Sequence, residues 1–123
     1  MLQIRQEQFD ALLRSHAESH AAKIEQMIGP SFPALREQLG AAEFSSLLRR
    51  QIGRAQALGI QELSDLARFA SIACALWPDF EADPPPFPWF AEILASTELS
   101  PSGKVARLAW WTRQELAKRS AMP

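Results

Sequence analysis

Two histidines, one cysteine and a short run of alternating acids are the residues of this chain whose types and spacing could do chemistry. His16 and His20 stand four apart in "SHAESH". On a helix that spacing points both rings the same way, as a pair of metal-binding histidines requires. The pattern supplies no third ligand. Glu18 falls on the opposite face, and the order is HAESH, not the HExxH of a zinc hydrolase. Both histidines also lie on an apolar stripe, where packing in a core or at an interface is the commoner use. His16 and His20 therefore stand as metal candidates without a completed set, and no cofactor is expected. Cys74 lies in a nearly all-apolar stretch, which suits inert packing better than nucleophilic attack. Asp79, Glu81 and Asp83 alternate like the start of a calcium loop, but the turn glycine is missing and Phe90 stands where the bidentate Glu belongs. The sequence has no GxSxG, P-loop, GxGxxG or CxxC, and no tyrosine. These residue types converge on no nucleophile and base, so an enzyme is not expected.

The composition is that of an ordinary globular domain. The 123 residues fit one domain spanning 1–123, with 47% hydrophobic and 22% charged residues. A formal net charge of −1 gives no global reason to expect nucleic acid or an anionic membrane as partner. The single cysteine excludes an internal disulfide and fits a reducing compartment. No window is apolar enough to span a membrane, and the charged N-terminus lacks a secretory apolar run. The expectation is a cytoplasmic protein.

The elements that must position these residues read as helices throughout. At about 100° per residue, Phe9, Leu12, Leu13, His16, His20, Ile24 and Met27 share one face, predicting a helix over 5–28 that ends at Gly29-Pro30. "SFPALREQLG" predicts a short helix from Ser31-Pro33 to Gly40. In "AAEFSSLLRRQIGRAQALG", Phe44, Leu47, Leu48, Gln51, Ala55 and Leu58 form an inner face, and Gly59 is placed to terminate the helix. Arg49, Arg50 and Arg54 read as a solvated side of it. From Ala67 to Trp77 only Arg68 and Ser71 are polar. A helix apolar nearly all round is buried, so the helix at about 61–77 is expected at the centre. Trp89 to Ala95 reads as one or two turns. A last helix runs from Ser100-Pro101 to about Arg119, with Val105, Leu108, Ala109, Thr112 and Leu116 facing in. No strand or hairpin signal is present. The fold class is all-α: a compact bundle of four main helices plus two short ones.

Between the fourth and fifth helices lies "PDFEADPPPFPWF", which holds five of the nine prolines, three Phe and one Trp. Its PxxP spacing could serve as a polyproline ligand, but acids flank it where such ligands carry a base. Consecutive prolines lower the entropy cost of ordering a loop, and Phe80, Phe87, Trp89 and Phe90 can anchor it. The segment is expected to be packed. Charge is uneven around it. Residues 79–98 hold Asp79, Glu81, Asp83, Glu92 and Glu98 and no base, while 99–123 hold Lys104, Arg107, Arg113, Lys118 and Arg119 against Glu115. These blocks pair within the fold, or one of them faces a partner. Trp111 falls at the edge of the last helix's inner face, and Trp110 about 140° from its centre. Either the Pro/Phe segment covers Trp110 or it is exposed. A Trp flanked by Arg107 and Arg113 has the composition of an interface hot spot.

The stretch "ALGIQELSDLARFASIACALWPDFEADPPPFPWFAEIL" resembles a loose group of small helical bacterial proteins encoded beside type VI secretion toxins. The matching residues are Gly59, Ile60, Glu62, Asp65, Ala67, Arg68, Phe69, Asp79, Phe80, Pro88, Trp89, Ile93 and Leu94. They cover about a third of the chain, and most have packing roles. This chain departs from the group in carrying Trp77-Pro78 where a glycine is expected, and in its longer proline run. No catalytic residue follows from the resemblance. It implies a cytosolic accessory that binds a protein, most directly a secreted toxin. The first expectation is an adaptor or chaperone, docking through Trp110, Trp111, Arg107 and Arg113. The alternative is a cytosolic immunity protein presenting Asp79, Glu81 and Asp83 to a basic toxin. A metal-dependent enzyme using His16 and His20 comes third. A homodimer through the first helix is compatible with its long stripe.

Overall fold

Gly59 shows how locally this chain is punctuated. Its φ of 89° is one that only glycine adopts without strain. It closes α3 (Ala41–Ala57) with a Schellman motif: the Gly59 N–H donates to Gln56 O at 3.0 Å and the Ile60 N–H to Ala55 O at 3.0 Å. Ile60, fully buried, then plugs the turn. The computed structural model describes residues 20–82 and 86–121. Within them all regular structure is helical. α1 covers 20–28, followed by a 3₁₀ turn at Gly29–Ser31 and by α2 (Pro33–Leu39). After α3 come α4 (Leu63–Ala75), a second 3₁₀ turn at Asp79–Glu81, α5 (Pro88–Ala95) and α6 (Pro101–Ala121). No described helix is long and apolar enough to cross a membrane.

The expected central helix is α4. It packs against both α3 and α6, while α2 rests on α3 and α5 on α6. Leu66, Ala67, Phe69, Ala70, Ile72, Ala73 and Cys74 are all buried. Its alanines let neighbouring helices approach from more than one side, and Phe69 fills the space they leave. Ser102 near the start of α6 donates to Asp65 near the start of α4, and Arg119 near the end of α6 reaches Asp79 just past the end of α4. The two helices therefore run parallel, with α5 in the crossover between them.

Two expected inner positions face out instead. Met27 is 54% exposed. Ala21, Ile24 and Ile28 are the buried stripe of α1, and its centre lies to the other side of Ile24 from Met27. Leu116 is 36% exposed. Val105, Leu108 and Thr112 are buried beside α4, but α4 has 13 residues and α6 has 21, so α6 outruns the helix it packs on. Beyond Thr112 its inner face has no α4 to cover it. Residues 5–19 of the expected first helix, with His16, lie outside the described residues.

Cys74 is buried in this centre, and desolvation pushes its thiol up to about 12. The native chain is expected to resist disulfide-exchange reagents at neutral to mildly alkaline pH, and to react on the timescale of global unfolding. The thiol's contribution to stability is intact below the ordinary thiol range and is lost as pH climbs through it toward 12. A Cys74→Ala chain lacks that alkaline loss. Fast modification of the folded protein, measured by thiol titration with and without denaturant, would contradict this placement.

Candidate functional site

The acidic start of the Pro/Phe segment is bound by arginines of the same chain. Glu81 accepts from Arg50 Nε at 3.1 Å and Nη2 at 3.0 Å, and from Gln51 Nε2 at 3.0 Å. Arg119 Nη2 donates to Asp79 at 3.1 Å. Between these pairs Arg54 reaches inward: its Nη1 donates to Phe80 O at 3.3 Å, and its guanidinium carbon lies 5.2 Å from the Phe80 ring centre and 4.9 Å from that of Phe90. Cation–π attraction holds it there. Burial lowers the Arg54 pKa, with the Glu81 charge opposing that shift. The hydrogen bonds that Arg50 donates to Glu81 raise its own pKa, against some desolvation. So α3 does not present three solvated arginines. Arg49 is exposed, Arg50 ties down Glu81 and Arg54 is half-buried under the aromatic cluster. Asp83, the third acid, lies outside the described residues.

The aromatic residues of the Pro/Phe segment are packed, as its composition predicts. Phe80, Phe87, Trp89 and Phe90 are all buried. Phe80 meets Phe69 edge-on at 5.4 Å and Phe90 at 4.9 Å, the geometry that ring quadrupoles favour. Phe87 stacks on Trp89 at 5.2 Å, and Trp89 on Trp111 at 5.9 Å with only 10° between the planes.

The Glu81 network gives an unequal pair of expected losses. Glu81→Ala leaves the buried Gln51 amide without its acceptor and is expected to cost about 1–3 kcal/mol. Arg50 is half in solvent, so Arg50→Ala is expected to cost no more than about 1 kcal/mol. Urea denaturation of both variants checks the order. Equal costs would mean that Gln51 finds another acceptor.

At the opposite edge of this aromatic stack the surface opens. Trp111 is half-buried on Trp89, and Trp110 stands perpendicular to it at 4.9 Å and 88°. Trp110 is 48% exposed, so the described residues of the Pro/Phe segment do not cover it. A groove of about 570 Å³ runs beside it, lined by Leu99, Gly103, Ala106, Arg107, Trp110 and Trp111. A smaller hollow of about 260 Å³ adjoins it, sharing Leu99, Arg107 and Trp111 and adding Trp89 and Glu92. Local chemistry fixes the helix that carries this groove. Ser100 caps α6, its Oγ accepting from the Gly103 N–H at 3.0 Å, and Pro101 takes the first helical position. Lys104 Nζ donates to Leu94 O at 2.9 Å, which ties α6 to the C-terminal turn of α5. Arg107 and Arg113 are exposed and make no ion pair among the described residues.

The histidine pair is not brought to this surface as a described unit. His20 is half-buried on α1 and His16 falls outside the described residues. Among the described residues no group of three His, Cys, Asp or Glu side chains is placed to hold a metal ion. Of the residues singled out in the sequence, the structure thus gathers Arg107, Trp110 and Trp111 at one groove, with Arg113 one turn beyond, and pairs Asp79 and Glu81 with arginines of the same chain at the surface. Sequence reasoning missed Leu99, Gly103 and Ala106, which give the groove its depth, and Arg54. The small residues at 103 and 106, two turns and one turn before Trp110, were the available signal. Comparison with known protein families, curated proteins and solved structures finds no match.

Proposed function

We propose that this chain is a non-enzymatic binding protein, an adaptor or chaperone that holds a secreted toxin in the cytoplasm before export, and that it docks its partner at the α6 groove. The observation that carries this reading is Trp110, half-exposed beside an apolar groove and flanked by two arginines that nothing in the described structure neutralises. A large aromatic kept in water at such a place costs solvation unless a partner covers it. The type VI setting comes from the resemblance over 57–94. The scaffold we propose is one bundle of four main helices and two short ones. Immunity through an acidic face has less support, because Asp79 and Glu81 already serve Arg119 and Arg50.

The test is capture from lysate of the native cell by the wild-type chain and by Trp110→Ala, with the retained proteins identified by mass spectrometry. A secreted toxin held by the wild type, lost by the variant and still active in the complex supports the adaptor. A toxin silenced in the complex moves the reading to immunity. A partner retained equally by both chains removes the groove from the account.

A further inference from the structure

Resting on that docking role, we infer that the occupant of the groove is an acidic amphipathic helix of another protein. Its apolar stripe lies along α6 beside Trp110, and its carboxylates reach Arg107 and Arg113. The geometry of α6 supports a helix. Gly103, Ala106, Arg107 and Trp110 follow the i, i+3, i+4, i+7 spacing of a helix-packing seam. Ala106 lacks bulk, so a partner backbone can come close there; Gly103 lets Leu99 and Ser100 pack against α6, and Leu99 and Trp110 make the walls. The seam is about 11 Å long at 1.5 Å per residue, room for two turns of a second helix. Helix-in-groove recognition uses anchors at the same spacing.

Charge selects the partner. Three of α6's five cations are engaged within the chain: Lys104 on Leu94 O, Lys118 with Glu115 at 3.9 Å, and Arg119 with Asp79. The two left without an acid or an acceptor among the described residues are Arg107 and Arg113, one turn to either side of Trp110. Glu92 shares the adjoining hollow with Arg107 but makes no ion pair with it. A second copy of the chain fits poorly. A two-fold pairing centred on Trp110 sets Arg107 of one copy against Arg113 of the other, and like charges so placed oppose association. An acidic helix satisfies both arginines at once.

The test uses three synthetic helical peptides of equal length that share one Leu/Phe stripe and carry Glu, Gln or Lys beside it. Binding to the full chain is followed by fluorescence anisotropy at low and high salt, with sedimentation of the chain alone. The Glu peptide is expected to bind roughly ten-fold more tightly than the Gln peptide, and the Lys peptide least. The advantage should shrink as salt rises, and Arg107→Glu/Arg113→Glu should invert the order. Glu and Lys peptides bound equally well, both lost with Trp110→Ala, would overturn the acidic occupant and leave the docking role standing. A Lys peptide that binds best would overturn it too. A Trp110-dependent dimer would give the groove to a second copy. A monomer that binds none of the three, as expected if residues 1–19 of the same chain fill the groove, would also refute the inference. The lysate capture does not depend on peptide charge, so it judges the docking role separately.

Discussion

Phe80→Ala is expected to lower the free energy of unfolding by about 3–5 kcal/mol, the largest single loss we expect for a residue outside the helices' own stripes. Phe80 is fully buried, yet it comes from a three-residue 3₁₀ turn and not from a long helix. Its ring lies edge-on to Phe69 of α4 and to Phe90 of α5, and carries the Arg54 guanidinium of α3 on a face. One side chain thus joins three helices. Truncation removes the transfer energy of the ring and two aromatic pairs worth about 0.5–1.5 kcal/mol each. Arg54 is left half-buried with one ring fewer beneath it. Collapse into the void is restricted, because Pro78 precedes the turn and the Arg50–Glu81 pair holds its far end. Since a domain of this size is stable by about 5–15 kcal/mol, the loss is a large share of the total. Phe80→Leu, which keeps most of the volume, is expected to lose about half as much. Urea denaturation followed by circular dichroism gives both numbers. A loss below about 1 kcal/mol for the alanine would mean that the Pro/Phe segment is not anchored through this ring.

The same residue shows why part of this molecule was legible in its sequence. Features set by neighbours within one or two turns came through: the glycine stop at Gly59, the Ser100-Pro101 start, the all-round apolar character of α4, and the aromatic anchoring of the Pro/Phe segment. Features set across the chain did not. Arg54 read as solvated because Phe80 and Phe90 lie 26 and more residues further on, and nothing at positions 50–58 announces them. Leu116 read as inner because the helical repeat continues to it, whereas burial there depends on how far α4 extends beside α6. Met27 failed for a similar reason, since a stripe seven residues wide in its pattern does not say where its centre will seat. The candidate site divides along the same line. That Trp110 points about 140° from the inner face follows from helix geometry alone. Whether the Pro/Phe segment reaches around to cover it is a question of tertiary packing, and Trp89 stacking on Trp111 instead is what leaves Trp110 open. The acids at 79 and 81 are equally ambiguous in the sequence, because their arginines lie 40 and 31 residues away.

Trp110→Ala is expected to separate binding from stability. Its ring is 48% exposed and its described aromatic contact is with Trp111, so the folded chain should lose no more than about 1 kcal/mol. Affinity for the captured partner should fall roughly 30-fold or more, the loss of about 2 kcal/mol that defines a hot spot. Trp111→Ala provides the contrast. Trp111 is half-buried on Trp89 and walls both the groove and the adjoining hollow, so its removal should cost about 2 kcal/mol of stability as well as affinity. Denaturation midpoints and titration of the partner, measured on both variants, place each residue on one plot of stability loss against affinity loss. A docking Trp lies near the affinity axis and a packing Trp near the stability axis. If Trp110→Ala destabilises the isolated chain by several kcal/mol while the partner still binds, Trp110 is a core residue reached from the surface and the proposed docking face is wrong. If it moves along the affinity axis alone, this half-exposed indole is held in water by the stack behind it, because Trp111 packs on Trp89 and leaves its neighbour for the partner to cover.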